Sequence, residues 1–275
     1  MQIKLIAIDM DDTLLNGELA ISPRCREAIT RASEQGITVA MASGRMARSI
    51  TPYMEALNLN TPLIACNGAT VYDKPGGAVI YSRPVALDLA IKFCAFAESN
   101  GWYVQAYVGD EYIFDCECGY SELYKSIARV AGRGVGKPLS EALCGSAPPH
   151  KLLVIDESAR TPGILVTLKS HFGGSLELAI SKPFYVEVTH PEANKGAALN
   201  AVLGHYGIAP GNAMAIGDSL NDVPMFKAAG LSVAMGNASD DVKRAASRVT
   251  STNEDDGVAA AIEAYALASS STVVN

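Results

Sequence analysis

Residues 3–13 run Ile3-Lys4-Leu5-Ile6-Ala7-Ile8-Asp9-Met10-Asp11-Asp12-Thr13. A short apolar run leads directly into three carboxylates, which is typical of a buried strand that ends at a polar edge. Asp9 and Asp11 are two positions apart, so side-chain alternation predicts that both project to the same side of the strand end. This stretch therefore predicts both the first strand of a sheet and an acidic site at its end.

The sequence around this stretch alternates between strand and helix patterns. Ser22-Pro23 begins a helix that Gly36 ends, and apolar strands at 37–42 and 63–66 flank a helical segment at 46–57. The β-α-β-α-β order of apolar strands predicts a parallel sheet covered by helices, and the same pattern returns after Lys195. The predicted fold class is α/β, with a Rossmann-like parallel-sheet core.

The middle of the chain has a different pattern. After Pro84, alternating strands are mixed with helices, which predicts an antiparallel α+β unit inserted into the parallel one. We predict a discontinuous catalytic core at 1–83 and 190–275 and an inserted substrate-specificity cap at 84–189. Strand-spaced aromatic residues in the cap favour a packed core, although stacking on a substrate stays open: Trp102, Tyr103, Tyr107, Tyr112 and Phe114. The tail at 269–275 is predicted to be disordered.

Composition excludes several classes of protein. The net charge is −7 and no Lys/Arg cluster is present, which argues against a nucleic-acid partner. No apolar run reaches the roughly 18 residues of a membrane span, and the early acidic residues do not fit a signal peptide. The six scattered cysteines favour reduced thiols. We expect a cytoplasmic protein without membrane attachment or an obligate protein partner.

Four short polar segments carry the candidate chemistry. They are Asp9–Thr13, Ser43-Gly44-Arg45, Lys195-Gly196, and Gly217-Asp218 with Asn221 and Asp222. Three of them directly follow a predicted buried strand. Ligands of open parallel sheets bind at the carboxyl ends of the strands, so these distant segments are expected to meet in one crevice.

The residue types indicate phosphoryl transfer. Asp9, Asp11 and Asp218 cannot all be ionised at close range without a cation, and Mg²⁺ is the hard ion that accepts such oxygen ligands. Lys195 and the ion would neutralise phosphate oxygens, one Asp would attack phosphorus, and a second would move the proton. Ser43 and nearby backbone N–H groups would hold the remaining phosphate oxygens.

Together, the four segments resemble the haloacid dehalogenase-like phosphatases, most closely the Cof-type sugar-phosphatase branch with a large inserted cap. The resemblance implies that Asp9 is the nucleophile and Asp11 the general acid/base. It implies that Asp9, the main-chain carbonyl of Asp11, and Asp218 bind Mg²⁺, with Asp222 supporting the metal shell. It assigns the phosphate to five residues: Met10, Ser43, Gly44, Lys195 and Asn221. Many relatives carry Gly at the position of Asp12, which alternation predicts to point away from the phosphate.

The expected function is Mg²⁺-dependent hydrolysis of small phosphomonoesters through an aspartyl-phosphate intermediate. Sugar phosphates are favoured as substrates, while pyridoxal phosphate and flavin mononucleotide stay open. A phosphomutase of the same family shares the nucleophile and also stays open. A signalling receiver module is disfavoured because Cys66-Asn67-Gly68, without an acceptor Asp, follows the third strand.

Overall fold

The computed structural model of the protein describes residues 2–267, so the tail predicted at 269–275 lies outside the described residues. The strands are β1 (Leu5–Asp9), β2 (Thr38–Ala42), β3 (Leu63–Ala65), β4 (Thr70–Tyr72), β5 (Val79–Ser82), β6 (Tyr103–Val108), β7 (Glu111–Phe114), β8 (Arg133–Gly134), β9 (Lys151–Ile155), β10 (Glu177–Lys182), β11 (Tyr185–Thr189), β12 (Ala213–Gly217), β13 (Leu231–Ala234) and β14 (Arg248–Val249). The helices are α1 (Pro23–Glu34), α2 (Ala47–Ala56), α3 (Leu87–Ser99), α4 (Gly119–Ala128), α5 (Leu139–Ala142), α6 (Thr161–Phe172), α7 (Lys195–Tyr206), α8 (Val223–Ala228), α9 (Asp240–Ala245) and α10 (Gly257–Ile262).

Contacts divide the chain into two units. One unit comprises residues 2–44, 50–81 and 194–267, and the other comprises Arg45–Ser49 and Ser82–Ala193. The short segment Arg45–Ser49 belongs to the second unit because Ser49 Oγ donates to the carbonyl of Ala128 and the Arg48 amide donates to Asp110. Of the segment Ser43-Gly44-Arg45 after β2, the first two residues therefore belong to the first unit and Arg45 belongs to the second.

The first unit is built on a sheet of eight strands. Their order is β14-β13-β12-β1-β2-β3-β4-β5, and the six from β14 to β3 are parallel. β1 and β12 are buried along their whole length, as expected of parallel strands covered on both faces. Side chains of α7 and α8 form one hydrophobic cluster with this sheet, while α1 packs against α10. The carboxyl ends of β1, β2 and β12 consequently lie next to one another.

The second unit contains a sheet of six strands in the order β10-β11-β9-β6-β7-β8. Neighbours from β10 to β7 pair in antiparallel fashion, and α3, α5 and α6 cover one face with apolar side chains. Tyr107, Tyr112 and Phe114 are buried, as the packed-core interpretation of the aromatic residues expects. The α/β class with a parallel core and an inserted antiparallel unit is thus confirmed.

Two further observations concern the chain as a whole. Among residues 2–267, no helix combines the length and apolar character that a membrane crossing needs. All six cysteines lie within these residues and are free thiols, as their scattered spacing predicts.

Candidate active site

The first strand ends at Asp9, and a tight turn over residues 10–14 follows it. Asp9 is buried, while the backbone of Asp11 is extended (φ −71°, ψ 130°) and that of Asp12 is left-handed (φ 57°, ψ 11°). The strand alternation that we used to orient Asp11 and Asp12 is therefore the wrong description, because the strand stops before either residue. The left-handed conformation favours Gly and is tolerated by Asp, which explains how Asp12 can stand where the family resemblance leads one to expect Gly.

Lys195 brings positive charge to the end of β1. It is the first residue of α7, whose start is fixed by Asn194, the side chain of which accepts a hydrogen bond of 2.9 Å from the Ala197 amide. Lys195 Nζ donates to Asp9 Oδ1 and, over 2.6 Å, to Asp222 Oδ1. Only 1% of the lysine is exposed, so these carboxylates supply the compensation that a buried ammonium group requires.

Asp222 braces the loop that follows β12. Its second oxygen, Oδ2, accepts hydrogen bonds of 3.0 Å from the amides of Asp218 and Ser219. A Cβ atom at Gly217 would lie 2.5 Å from the Asp222 carboxyl group, so this approach requires glycine. Asp222 is fully buried, and its two oxygens are already hydrogen-bonded to the lysine and to the loop.

The acidic residues from both ends of the chain form one cluster. Thr13 Oγ1 donates a hydrogen bond of 2.9 Å to Asp218 Oδ1, across 205 positions of sequence. One oxygen from each of Asp9, Asp218 and Asp222 lies within 4.8 Å of the others. Such a set of oxygen donors fits a hard divalent cation. Sequence reasoning named Asp9, the main-chain carbonyl of Asp11, and Asp218 as ligands and gave Asp222 a supporting role. Of these, the cluster contains Asp9 and Asp218 together with Asp222.

Burial and mutual repulsion shift the acid–base properties of the cluster. Burial raises the pKa of Asp9 and the charge of Asp222 raises it further, against the opposing effect of Lys195. Burial and Asp222 also raise the pKa of Asp218, to about 6. Burial alone would lower the pKa of Lys195, but the charges of Asp222 and Asp9 outweigh it and raise the value. A bound cation would favour the ionised form of every carboxylate here.

The predicted phosphate-binding residues that follow β2 meet around Asn67. Ser43 is buried, and its carbonyl accepts a hydrogen bond of 3.0 Å from the Asn67 amide. Asn221 Nδ2 donates to Asn67 Oδ1 over 3.0 Å, and a Cβ atom at Gly44 would lie 3.0 Å from that same oxygen. Met10 is buried and Asp11 is half-buried in the turn after Asp9.

Sequence reasoning treated Asn67 only as part of a turn and assigned it no role. Cys66, Asn67 and Gly68 have consecutive positive φ values of 52°, 55° and 92°. A Cβ atom at Gly68 would lie 2.3 Å from the Asn194 carbonyl oxygen, so the turn sits directly against the start of α7. The Asn-Gly pair after a buried strand is the sequence signal for such a turn. Its partners Asn194 and Asn221, which lie 126 positions from Gly68 and 154 from Asn67, leave no local trace.

Comparison with known proteins agrees with this geometry. A family model described as haloacid dehalogenase-like hydrolase matches residues 6–262. A 5-amino-6-(5-phospho-D-ribitylamino)uracil phosphatase of Bacillus subtilis is 34% identical, over 97% of each chain. A pyridoxal phosphate phosphatase of Escherichia coli is 29% identical, over 94% of this chain and 97% of its own.

Solved structures share the fold as well. The crystal structure of a haloacid dehalogenase-like hydrolase from Bacteroides thetaiotaomicron superimposes with a TM-score of 0.88 at 30% identity, covering 96% of this chain and 99% of its own. Fold and site thus define a hydrolase with a parallel-sheet core and an acidic site at the strand ends. The chain belongs to the haloacid dehalogenase-like hydrolase family, in its Cof-type branch, and is an enzyme of the phosphatase class.

Proposed function

We propose that this phosphatase hydrolyses phosphomonoesters of small metabolites, with sugar phosphates favoured, through an aspartyl-phosphate formed on Asp9 in the presence of Mg²⁺. The observation that carries the proposal is the buried cluster in which Lys195 contacts Asp9 and Asp222 while Asp218 lies alongside. An isolated structural ion pair would not need the third carboxylate, whose presence adds repulsion.

The proposed reaction has two displacements. In the first, the Asp9 carboxylate attacks phosphorus, the bond from phosphorus to the alcohol oxygen breaks, and protonated Asp11 donates its proton to that oxygen. In the second, the Asp11 carboxylate takes a proton from water as the water oxygen attacks phosphorus. The acyl-phosphate bond then breaks, which releases phosphate and regenerates Asp9.

The remaining site residues would bind the phosphate and the metal ion and keep them in place. Lys195, Ser43, Gly44, Asn221 and the backbone of Met10 would bind phosphate oxygens. Asp9, Asp218 and the carbonyl of Asp11 would hold Mg²⁺, which supplies charge neutralisation to the phosphate when bound. Asp222 suits a supporting role because its oxygens already accept hydrogen bonds from Lys195 and the loop after β12.

We also propose that residues 84–189 act as the cap that selects the substrate, and that residues 1–83 and 190–275 form the catalytic core. The relatives support a small phosphorylated metabolite in general, since two of them are named for different phosphomonoesters. A cytoplasmic location is part of the proposal and is supported by the six free thiols.

The test is a panel of phosphorylated metabolites, with phosphate release measured in Mg²⁺ buffer. Sugar phosphates should give the highest kcat/KM, and the Asp9→Asn variant should lose activity on every substrate. Asp12→Asn is the matched control, because Asp12 is an exposed carboxylate three positions away that the mechanism does not use. Substantial turnover by purified Asp9→Asn protein would remove Asp9 as the nucleophile.

Product analysis on a hexose 1-phosphate distinguishes a hydrolase from a phosphomutase. A hydrolase releases free sugar and inorganic phosphate in equal amounts. An isomeric sugar phosphate without free phosphate would instead identify a phosphomutase.

A further inference from the structure

Two asparagines from the last quarter of the chain bind the main chain in, and directly after, the turn over residues 10–14. Asn237 Nδ2 donates a hydrogen bond of 2.7 Å to the carbonyl of Asp12, and Asn253 Nδ2 donates one of 3.0 Å to the carbonyl of Leu15. The two asparagines are also joined, since the Asn253 amide donates to Asn237 Oδ1 over 3.1 Å. We call Asn237 and Asn253 the clasp.

The orientation of the Asn237 amide follows from its partners. Its oxygen faces a backbone N–H and its nitrogen faces a backbone carbonyl, so flipping the amide group would lose both hydrogen bonds. Both ends of the side chain are therefore committed to linking the turn to the segment around Asn253.

The clasp acts on a backbone that needs support. Asp12 is left-handed at φ 57°, a conformation that few residues with a Cβ atom adopt, although Asp tolerates it better than most. Asn237 binds the carbonyl of Asp12 itself and thereby fixes the peptide plane between Asp12 and Thr13. Asp11 directly precedes Asp12 in the chain, and Thr13, whose hydroxyl donates a hydrogen bond to Asp218, directly follows it.

The segments that carry the clasp are themselves closely packed. The Gly236 amide donates to the Ser251 carbonyl over 2.9 Å, and a Cβ atom at Gly236 would lie 2.9 Å from the main chain of Ser251. A Cβ atom at Gly257 would lie 2.2 Å from the Ser251 carbonyl oxygen. These two contacts leave no room for a side chain at either glycine, so they hold the segment before Asn237 closely against the segment before Asn253.

We propose that Asn237 is a positioning residue for phosphoryl transfer, which orients Asp11 through the Asp12 main chain, and that Asn253 supports it. This inference rests on the proposed function, in which Asp11 gives its proton to the leaving group. Among the described residues, the side-chain hydrogen bonds of both asparagines go to the turn and to each other and not to the carboxylates of the acidic cluster, so the clasp acts through the turn.

The test compares two substrates that differ in how much they need the acid. p-Nitrophenyl phosphate releases a stable phenolate, whereas phenyl phosphate releases a more basic one that gains more from protonation. Because kcat/KM reports the step in which the leaving group departs, a misplaced acid should depress it more for phenyl phosphate. For Asn237→Ala we expect a loss of about 10-fold or more on phenyl phosphate. On p-nitrophenyl phosphate the loss should stay within about threefold, since less protonation is needed.

Three variants accompany this measurement. Asn237→Asp keeps the size of the side chain but replaces the donor with an oxygen, so it should show the same selective loss. Asn253→Ala should show the same pattern with a smaller loss, because its bond lies three residues further along the turn. Asn212→Ala is the matched control, since Asn212 also donates over 2.7 Å to a carbonyl, that of Gln2, near the opposite end of β1. The ratio of its kcat/KM on phenyl phosphate to its kcat/KM on p-nitrophenyl phosphate should equal the ratio of the wild type.

The outcomes separate the positioning role from the proposed function. Suppose that Asp11→Asn loses kcat/KM mainly on phenyl phosphate, while Asn237→Ala loses kcat/KM equally on both substrates. That result would overturn the role of the clasp without contradicting the proposed function. Equal losses on both substrates in Asp11→Asn would overturn the acid role of Asp11, and the clasp proposal with it. A thermal midpoint of Asn237→Ala close to that of the wild type, together with the selective loss, would support positioning over a general loss of fold.

Discussion

At the scale of single residues, Lys195 provides the positive charge in the acidic cluster. It contacts Asp9 and Asp222, while Asp218 belongs to the same cluster. When all three carboxylates are ionised, one ammonium group leaves two negative charges uncompensated. A divalent cation matches this excess, whereas a monovalent one would leave part of it buried.

Asp12 provides a prediction about backbone conformation at the same scale. Its φ of 57° suits Gly and Asp but strains a β-branched residue. We expect Asp12→Gly to change the free energy of unfolding by less than about 1 kcal/mol. Asp12→Val should lower it by about 1–2 kcal/mol because of the left-handed conformation. Urea unfolding of both variants measures the difference.

Both variants keep the main-chain carbonyl that Asn237 binds, so the comparison isolates the conformation of residue 12. Equal stability of the Gly and Val variants would mean that the turn is not left-handed in solution.

At the scale of secondary-structure elements, Lys195 is the first residue of helix α7. The packing of α7 against α8 therefore determines where the positive charge of the lysine lies. Gly196 directly follows Lys195, and a Cβ atom there would lie 2.3 Å from the Pro224 carbonyl oxygen. The close approach of the two helices therefore depends on glycine at this position. The local sequence around Lys195-Gly196 does not reveal this constraint, because Pro224 lies 28 positions further along the chain.

Substitutions within α7 test the constraint. Gly196→Ala should lower the free energy of unfolding by about 1–3 kcal/mol through overpacking, and should also lower kcat by moving Lys195. Gly204→Ala is the control in the same helix, because a Cβ atom there meets nothing within 4 Å. It should be neutral or stabilising by up to about 1 kcal/mol. Denaturant unfolding and phosphate release of both variants measure the two effects.

An equal response at the two positions would contradict the close approach of α7 and α8. A loss of stability at position 196 without any change in kcat would show that Lys195 does not depend on this packing.

At the scale of the whole molecule, the parallel sheet brings the Asp9 segment next to the Asp218 segment. β1 pairs with β12 in register from Leu5 with Ala213 to Ile8 with Ile216, which brings Asp9 beside the loop that carries Asp218. Metal binding to this cluster would link two segments that are far apart in the chain. Binding to the folded state alone stabilises it by an amount that grows with ion concentration, about 2.7 kcal/mol at 100 times Kd.

Metal removal is the corresponding prediction. Chelation by EDTA should abolish phosphate release, and Mg²⁺ should restore it and raise the thermal midpoint. Asp218→Asn should reduce this Mg²⁺-dependent rise, because it removes one carboxylate of the cluster. Asp88→Asn, which removes an exposed carboxylate of the second unit that pairs with Lys92, should leave the rise unchanged. Full activity in EDTA would contradict the metal proposal.

Particular residues show how far the sequence leads. The apolar runs predicted β1, β2 and β12, and the rule that ligands bind at the carboxyl ends of parallel strands predicted that Asp9, Lys195 and Asp218 would meet. Asn67, Asn237 and Asn253 gave no such signal. An exposed or turn asparagine is common, and its partner is set by loops whose path depends on the packing of the whole unit.

The sequence by itself determined the α/β class, the inserted unit and the acidic residues at the strand ends, because burial periodicity and strand order are local properties of the chain. Only the tertiary structure decided the left-handed backbone of Asp12, the place of Asp222 beside Asp9, and the hold of Asn237 on the turn. These features depend on hydrogen bonds and close contacts between segments as far as 225 positions apart. No local pattern encodes such distances, since they emerge when the sheet and its helices pack.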